Sequence, residues 1–214
     1  MALKSFKYWK REEVQDIFGL TQVFSMPLME EWLKVDTQTI SQDVKKQLEA
    51  LKLKLLQFAT DWNEATLKFF FLSPLMRLVN FHIGIYNPFL EHSLSVSIGK
   101  EKASGKIDFM VAQGQQIPKA PFFCLHEYKP EEGTSNDPYG QLLIAMVAAQ
   151  LLNQDESPLY GAYVVGRMWY FVVLEGKTYT VHRGFNASSQ EIEQILGVLK
   201  NTKSIIERLL KTNH

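Results

Sequence analysis

The stretch "GKIDFMVAQGQQIPKAPFFCLHEYKPE", residues 105–131, decides the fold class. Its two halves are apolar, and they flank a turn-like segment, "GQQIPKA", that contains a glycine and a proline. The pattern predicts two neighbouring strands, with Asp108 on the first and with Glu127 and Lys129 on the second. Because side chains alternate along a strand, Glu127 and Lys129 share one face. Asp108 can lie across from them, about 5 Å away between Cβ atoms.

These charged side chains within apolar strands allow two interpretations. A surface ion pair between Lys129 and one of the acids contributes about 1 kcal/mol or less and needs no function. However, "PFFCL" comes just before His126 and Glu127, and "FMVA" follows Asp108 directly. Such segments indicate a central hairpin covered by helices, where charges are costly unless they pair or coordinate a metal. The residues alone leave both interpretations open.

The functional interpretation has a specific chemistry. Two clustered carboxylates supply the hard oxygen ligands that Mg²⁺ or Mn²⁺ prefers. A neighbouring lysine can lower the pKa of a metal-bound water or neutralise charge on a phosphate oxygen. Acid, acid, lysine and divalent metal are together suited to phosphodiester hydrolysis.

The composition of the whole chain limits the class of protein. With 214 residues, 46% of them hydrophobic, the chain can bury a sizeable core and is not disordered. Lys and Arg balance Asp and Glu at 23 each, so nucleic acid could be bound only through a local basic surface. The single cysteine, Cys124, makes neither an intramolecular disulfide nor a metal cluster. The longest apolar stretch, residues 142–152, is too short to span a bilayer and no signal-peptide core begins the chain, so we expect a cytoplasmic protein with no membrane partner.

The first third of the chain is predicted to be helical. Residues 1–36 have the apolar spacing of short helices, and from residue 40 apolar positions recur in steps of four and three as far as residue 72. A helix over 40–72 would be about 50 Å long, and it would end or kink before Pro74. Its apolar seam packs either on the N-terminal helices of the same chain, which we favour, or on a second copy in a homodimer through the long helix.

The rest of the chain alternates between strand and helix patterns. The segment "HSLSVSIG" predicts one more strand before the hairpin. A helix is expected from Asp137 as N-cap and Pro138 at the first position, and its apolar composition indicates burial. Further strands are predicted at "LYGAYVVG", "MWYFVVLEG" and "KTYTVHRG", followed by an amphipathic closing helix. The predicted order is a helix, three strands, a helix and further strands.

This order, together with "EYK" at residues 127–129 and Asp108 in "GKIDF", resembles the PD-(D/E)XK nuclease superfamily. In that family an aspartate lies on the second strand and an acid-x-lysine motif on the third. The family's proline before the aspartate is absent here, because Ile107 stands in its place. The resemblance implies an α/β fold with a restriction-endonuclease-like αβββαβ core, whose mixed central sheet is flanked by helices. The resemblance covers about residues 61–182. With the C-terminal helix, the predicted nuclease-like core is residues 61–214, and it follows an N-terminal helical extension, residues 1–60, that the resemblance leaves unexplained.

The resemblance also implies further site residues. Members often carry a glutamate on the first core helix, and Glu64 in "DWNEATLKFFF" matches it. The alternative for Glu64 is a solvent-facing ion pair with Lys68, four positions along the helix. Members often carry a glutamine on the helix after the lysine strand, which corresponds to Gln141 in "DPYGQLLIAM". The expected metal ligands are Asp108, Glu127 and the backbone carbonyl of Tyr128, and the expected cofactor is Mg²⁺ or Mn²⁺.

By resemblance, the function expected is that of a metal-dependent nuclease, with Asp108, Glu127, Lys129, Glu64 and Gln141 as catalytic residues. Its partner would be nucleic acid, with DNA ranked ahead of RNA. One alternative is a catalytically silent module of the same fold that serves in nucleic-acid binding or protein assembly. Another is a helical interaction protein in which the long seam is the functional part.

Overall fold

A nine-stranded mixed sheet flanked by helices forms the centre of the protein. The structure is a computed structural model and describes residues 3–82, 86–98, 101–133, 136–155 and 157–212. The strands are β1 (Leu3–Ser5), β2 (Thr21–Gln22), β3 (Tyr86–Ile98), β4 (Glu101–Gln113), β5 (Lys119–Lys129), β6 (Leu159–Val165), β7 (Met168–Glu175), β8 (Thr178–Val181) and β9 (Phe185–Asn186). The helices are α1 (Arg11–Phe18), α2 (Pro27–Leu33), α3 (Gln42–Phe58), α4 (Glu64–Leu67), α5 (Ser73–Val79), α6 (Pro138–Asn153) and α7 (Glu191–Thr212), with a π-helical turn at Lys68–Leu72 and 3₁₀ turns at Phe6–Tyr8 and Thr37–Thr39.

The sheet runs in the order β1-β4-β5-β6-β7-β8-β2, with β3 paired to β4 and β9 paired to β7. The predicted meander is present, because β3, β4 and β5 follow one another as antiparallel neighbours. After α6 the chain returns as β6, which pairs with β5 in parallel. The segment from α5 to β6 therefore has the predicted order of helix, three strands, helix and strand.

Two apolar cores lie on the two sides of the sheet. One contains the buried length of α6 together with Met110 and Leu125. The other contains the apolar faces of α3, α5 and α7 together with Phe109, Cys124 and Tyr128. The prediction that α6 is buried is confirmed, since every residue from 140 to 149 is inaccessible to solvent or nearly so. The predicted N-cap is also present, because Asp137 accepts a hydrogen bond from the backbone N–H of Gly140.

The single helix predicted over residues 40–72 is wrong. Helix α3 ends at Phe58, and a new N-cap forms at Asn63, whose side chain accepts from the Thr66 backbone N–H at 2.9 Å. Pro74 does not stop the second helix, which passes through it by a π turn. Because the proline ring would crowd the carbonyl four residues earlier in α geometry, a wider turn here relieves that contact.

The N-terminal segment is more than a set of short helices. It supplies β1 and β2, which pair in parallel with β4 and β8. The buried apolar positions of α3, which are Leu48, Leu51 and Leu55, pack into the same core as α7. The seam is covered within the chain at these three positions, as favoured above, whereas Phe58 and Phe69 farther along it are exposed. The homodimer stays a prediction that the packing of α3 does not support. Among the described residues no helix is both long and apolar enough to cross a membrane.

Candidate functional site

The two strands of the hairpin separate at the point where the predicted acids lie. Their paired ladder reaches Phe109 opposite His126, and Asp108 is the next residue beyond it. There the Asp108 side chain takes the place of a strand partner, because its Oδ2 accepts from the Tyr128 backbone N–H at 2.7 Å. This bond holds the aspartate against the "EYK" segment, so the predicted neighbourhood of Asp108 and that motif is present.

Glu127 and Lys129 form a buried ion pair at the end of β5. The Lys129 Nζ donates to Glu127 Oε1 at 2.5 Å. Only 2% of Glu127 and 9% of Lys129 is exposed, and Asp108 is 8% exposed. The three charges therefore lie in an environment of low polarity, where a solvated surface pair is not the correct description.

Glu64 joins this group from the first residue of α4. Its Oε1 accepts from Lys68 at 2.7 Å and its Oε2 accepts from Lys129 at 3.3 Å. The predicted pair with Lys68 is therefore present, and Glu64 also contacts the lysine of the motif, while its role in catalysis stays a prediction. The new N-cap at residue 63 sets the start of α4 and with it the position of this carboxylate.

Lys68 is a central residue of the site that the sequence analysis treated only as a partner of Glu64. Its Nζ donates to Asp108 Oδ1 at 2.6 Å and to the carboxylates of Glu64 and Glu91, each at 2.7 Å. Lys68 is the first residue of the π turn. Its spacing of four from Glu64 was the one sequence signal that could have identified it.

Glu91 is a second residue that sequence reasoning missed. It interrupts β3, with Leu90 paired to Phe109 and His92 paired to Ile107 on either side of it. Its φ of +54° is in the left-handed region, which is unfavourable for a residue with a side chain and is typical of functional positions. This conformation directs its carboxylate to Lys68, and the exposed Lys106 lies 3.5 Å away. No sequence pattern signals such a break in a strand.

The electrostatics follow from burial and from the excess of acids. Four carboxylates (Glu64, Glu91, Asp108, Glu127) face two lysines (Lys68, Lys129). Burial, reinforced by the neighbouring Asp108 charge, raises the pKa of Glu127 to about 8. Burial also raises the pKa of Asp108, against the opposing effect of Lys68. For Lys129, burial would lower the pKa, but the Glu127, Asp108 and Glu64 carboxylates outweigh it and raise the pKa.

A second polar chain runs along the opposite face of β5. The His126 ring lies 3.2 Å from the Cys124 sulfur through Nε2 and 2.8 Å from the Tyr128 hydroxyl through Nδ1. Burial lowers the pKa of His126 to about 3, so the ring is neutral at physiological pH. Burial also raises the pKa of the Cys124 thiol, as expected for an unreactive buried cysteine. These residues support the strand and do not contact the acids through their side chains.

Gln141 is buried at the first turn of α6 but does not join the charged group. Its side-chain oxygen has no hydrogen-bond partner, and no bond links it to Glu127 or Lys129 among the residues the structure describes. A buried unpaired amide oxygen is costly. Its predicted catalytic role therefore remains a prediction without a contact to support it.

The charged group fits a divalent cation by the chemistry of its donors. Oxygens of Asp108, Glu64 and Glu91 already converge on one cationic atom, Lys68 Nζ, at 2.6 to 2.7 Å. Carboxylate oxygens are the ligands that Mg²⁺ and Mn²⁺ prefer. In the described part of the chain, no three His, Cys, Asp or Glu side chains are arranged as a ready-made metal site. A metal would therefore bind by taking over oxygens that the lysines now contact.

A pocket of about 500 Å³ opens beside this group. Its wall includes Lys68, Glu91 and Asp108 at one end, and the pocket follows the π turn and α5 as far as Asn80. Tyr128 also lines it. The charged group is thus reachable from solvent through a concave, mainly apolar space of the size common for ligand sites.

No protein-family model matches this sequence, and neither does any curated protein.

Proposed function

We propose that this protein is a metal-dependent nuclease that hydrolyses phosphodiester bonds, with DNA as the first substrate to test. The observation that supports this most strongly is the burial of Asp108, Glu127 and Lys129 together, with Asp108 also lining the pocket. Burying charged groups is energetically unfavourable, and a buried charged cluster with two further acids beside it is typical of a functional site. The order of elements from α5 to β6 further supports a restriction-endonuclease-like core.

In this proposal Asp108 and Glu127 hold the metal, with Glu64 as a third carboxylate and the Tyr128 carbonyl as a further ligand. When bound, Mg²⁺ or Mn²⁺ would lower the pKa of a coordinated water and neutralise charge on a phosphate oxygen. The Tyr128 backbone N–H orients Asp108 through the 2.7 Å hydrogen bond. A fixed orientation of this kind reduces the reorganisation needed during the reaction.

Lys129 acts as a cation and not as a proton acceptor. The acids around it raise its pKa, so it remains protonated at neutral pH. A protonated lysine can position the attacking water and stabilise negative charge that develops on the phosphate. Lys68 holds Glu64, Glu91 and Asp108 together before substrate arrives, through the three contacts described above.

The test is cleavage of single- and double-stranded DNA and of RNA in Mg²⁺ and Mn²⁺ by the wild type, Lys129→Ala and Asp108→Ala. Lys129→Ala should reduce cleavage about 100-fold or more while largely preserving metal binding, because it removes charge stabilisation but no ligand. Asp108→Ala should weaken both cleavage and metal binding, measured by calorimetric titration. Lys106→Ala is the matched control, since that side chain is 64% exposed and, among the described residues, forms an ion pair with Glu91 alone. Equal cleavage by the wild type and Lys129→Ala would refute the assignment.

A catalytically silent module of the same fold is the second candidate. One observation favours it: Lys68 already pairs with Asp108 and Glu64, two of the proposed metal ligands, and Asp108 has a protein partner on both oxygens. A module of this kind would show no cleavage with any substrate and no binding of Mg²⁺ or Mn²⁺. Metal binding by the wild type that is lost in Asp108→Ala would contradict it.

A further inference from the structure

We propose that the pocket beside the charged group binds one unstacked base of a nucleic-acid strand, so that the substrate is single-stranded or locally opened. This inference rests on the proposed function, because it takes the charged group as the place where the scissile phosphate binds. It adds a binding site for the neighbouring nucleotide and a class of substrate.

The first argument is the shape and composition of the pocket. Its walls are formed by one face of the helix from Leu72 to Met76, by Pro88 and Leu90 of β3, and by the ring of Phe109. The volume, about 500 Å³, is large enough for a base with its sugar and is well within the range of ligand sites. Bases that have left the stack are bound in this way, between aromatic and apolar side chains.

The second argument is the distribution of polar groups. Glu91, Asp108 and Lys68 line one end of the pocket, and Asn80 and His82 line it where the helix has ended. Asn80 follows Lys68 by twelve positions, which at the rise of a helix corresponds to about 18 Å. The amide of Asn80 and the ring of His82 can hydrogen-bond to the edge of a base, and the charged end is left for the phosphate.

The third argument is Arg77, which lines the same pocket and is exposed. Within the described residues it forms no ion pair, whereas both lysines of the charged group are engaged by carboxylates. An arginine with no acidic partner at the edge of a pocket is suited to a phosphate of the bound strand. Arg77 therefore offers a phosphate contact that does not compete with the acids.

The last argument favours a single strand over a duplex. The π turn that begins at Lys68 also carries two exposed aromatic rings, Phe69 and Phe70, and Phe69 is 69% exposed. Phe70 stacks on Trp62 and Trp62 stacks on Phe58, with ring centroids 6.1 and 6.3 Å apart. Lys54 lies over the Phe70 ring. Aromatic rings next to a cation bind unpaired bases by stacking, and a duplex does not expose its base faces.

The experiment measures binding by fluorescence anisotropy, with a labelled strand of about twelve nucleotides and the same strand as a duplex. All variants also carry Lys129→Ala, so that the probe is not cleaved, and binding is measured in the presence of Mg²⁺. Ser73→Trp fills the pocket from an exposed position on α5, and Ser95→Trp is the matched control at an exposed position of β3 outside the pocket. Arg77→Gln removes the proposed phosphate contact.

We expect the single strand to bind about ten-fold more tightly than the duplex, and Ser73→Trp to weaken it about ten-fold, the size expected for one stacked base. Ser95→Trp should bind as the parent does. Arg77→Gln should weaken binding and lower the slope of log affinity against log salt by about one. Equal affinities of Ser73→Trp and Ser95→Trp, or a preference for the duplex, would overturn the proposal.

The two proposals can fail separately. Cleavage that Lys129→Ala abolishes and Ser73→Trp leaves unchanged would support the nuclease proposal and reject the base pocket. Binding of a single strand that Ser73→Trp blocks, in a protein with no cleavage activity, would keep the pocket and reject the nuclease. Absence of both binding and cleavage would reject both.

Discussion

Replacing Lys68 with methionine tests the electrostatic balance of the site without depending on catalysis. The substitution keeps the apolar stem but removes a cation that contacts Asp108, Glu64 and Glu91 at 2.6 to 2.7 Å. Removing one partner of a buried ion pair costs about 3 to 5 kcal/mol. Since Lys68 and Glu91 are partly exposed and water compensates some of the loss, we expect the free energy of unfolding to fall by about 2 to 3 kcal/mol.

A divalent cation should reverse this loss. Lys68→Met frees three carboxylates that converge on one point, so Mg²⁺ can bind there without displacing a lysine. Metal at about 100 times its dissociation constant stabilises a folded protein by about 2.7 kcal/mol. The assay is urea unfolding of the wild type and the variant, with EDTA and with saturating Mg²⁺. We expect Mg²⁺ to stabilise the variant more than the wild type.

Lys106→Met is the control for this experiment. Lys106 contacts Glu91 from a solvent-exposed position at 3.5 Å, and its loss should change stability by less than about 0.5 kcal/mol. If Lys68→Met costs no more than Lys106→Met, the argument that Lys68 compensates buried charge is wrong. If Lys68→Met is destabilised but Mg²⁺ does not restore it, the three carboxylates are not a cation site.

Two further predictions concern the scaffold around the site. His126 has a pKa lowered to about 3 by burial, so below its ordinary pKa the unfolded chain takes up a proton that the folded one does not. The contribution of His126 to the free energy of unfolding is complete above about pH 6.5 and falls by about 2 kcal/mol on acidification to about pH 5. In urea unfolding, the free energy of His126→Gln should therefore depend less steeply on pH over this range. Equal pH dependence in the wild type and the variant would contradict the prediction. Asp137 accepts from the backbone N–H groups of both Gly140 and Arg11, at 3.0 and 2.9 Å, so Asp137→Ala should cost about 2 kcal/mol. Asp155→Ala, in an exposed loop, is the control, and a similar small loss in both variants would show that the cap is unimportant.

Local sequence patterns were sufficient for strands β3 to β8 of the sheet, but not for β1, β2 and β9. The alternation in "HSLSVSIG" was enough to predict a strand, because a strand with one buried face must alternate. In the structure Leu94 and Val96 are buried, and Ser93, Ser95 and Ser97 are exposed. The apolar run of α6 and its Asp137 cap were likewise readable, since both depend on neighbours within four residues. The proximity of Asp108 to Glu127 and Lys129 followed from strand alternation and a short connection.

Local sequence patterns did not predict the helix boundaries in the first third of the chain. The four-three spacing continues across residues 59–63, and nothing in the pattern distinguishes one long helix from two. The break is favoured by tertiary packing, since α3 and α4 each bury apolar residues in the same core. Helix propensity is a weak preference that such packing overrides.

The α/β class, the order of elements from α5 to β6 and the three charged residues of the hairpin could all be predicted from the amino-acid sequence. Lys68 and Glu91 could not be placed in the site in this way, because Lys68 contacts Asp108 across 40 residues of sequence and Glu91 contacts Lys68 from an interruption in β3. The pocket that leads to these residues is likewise a product of packing between a helix and a sheet edge. Strand alternation and helix capping depend on residues a few positions apart, whereas the convergence of charged side chains depends on how whole helices and strands pack together.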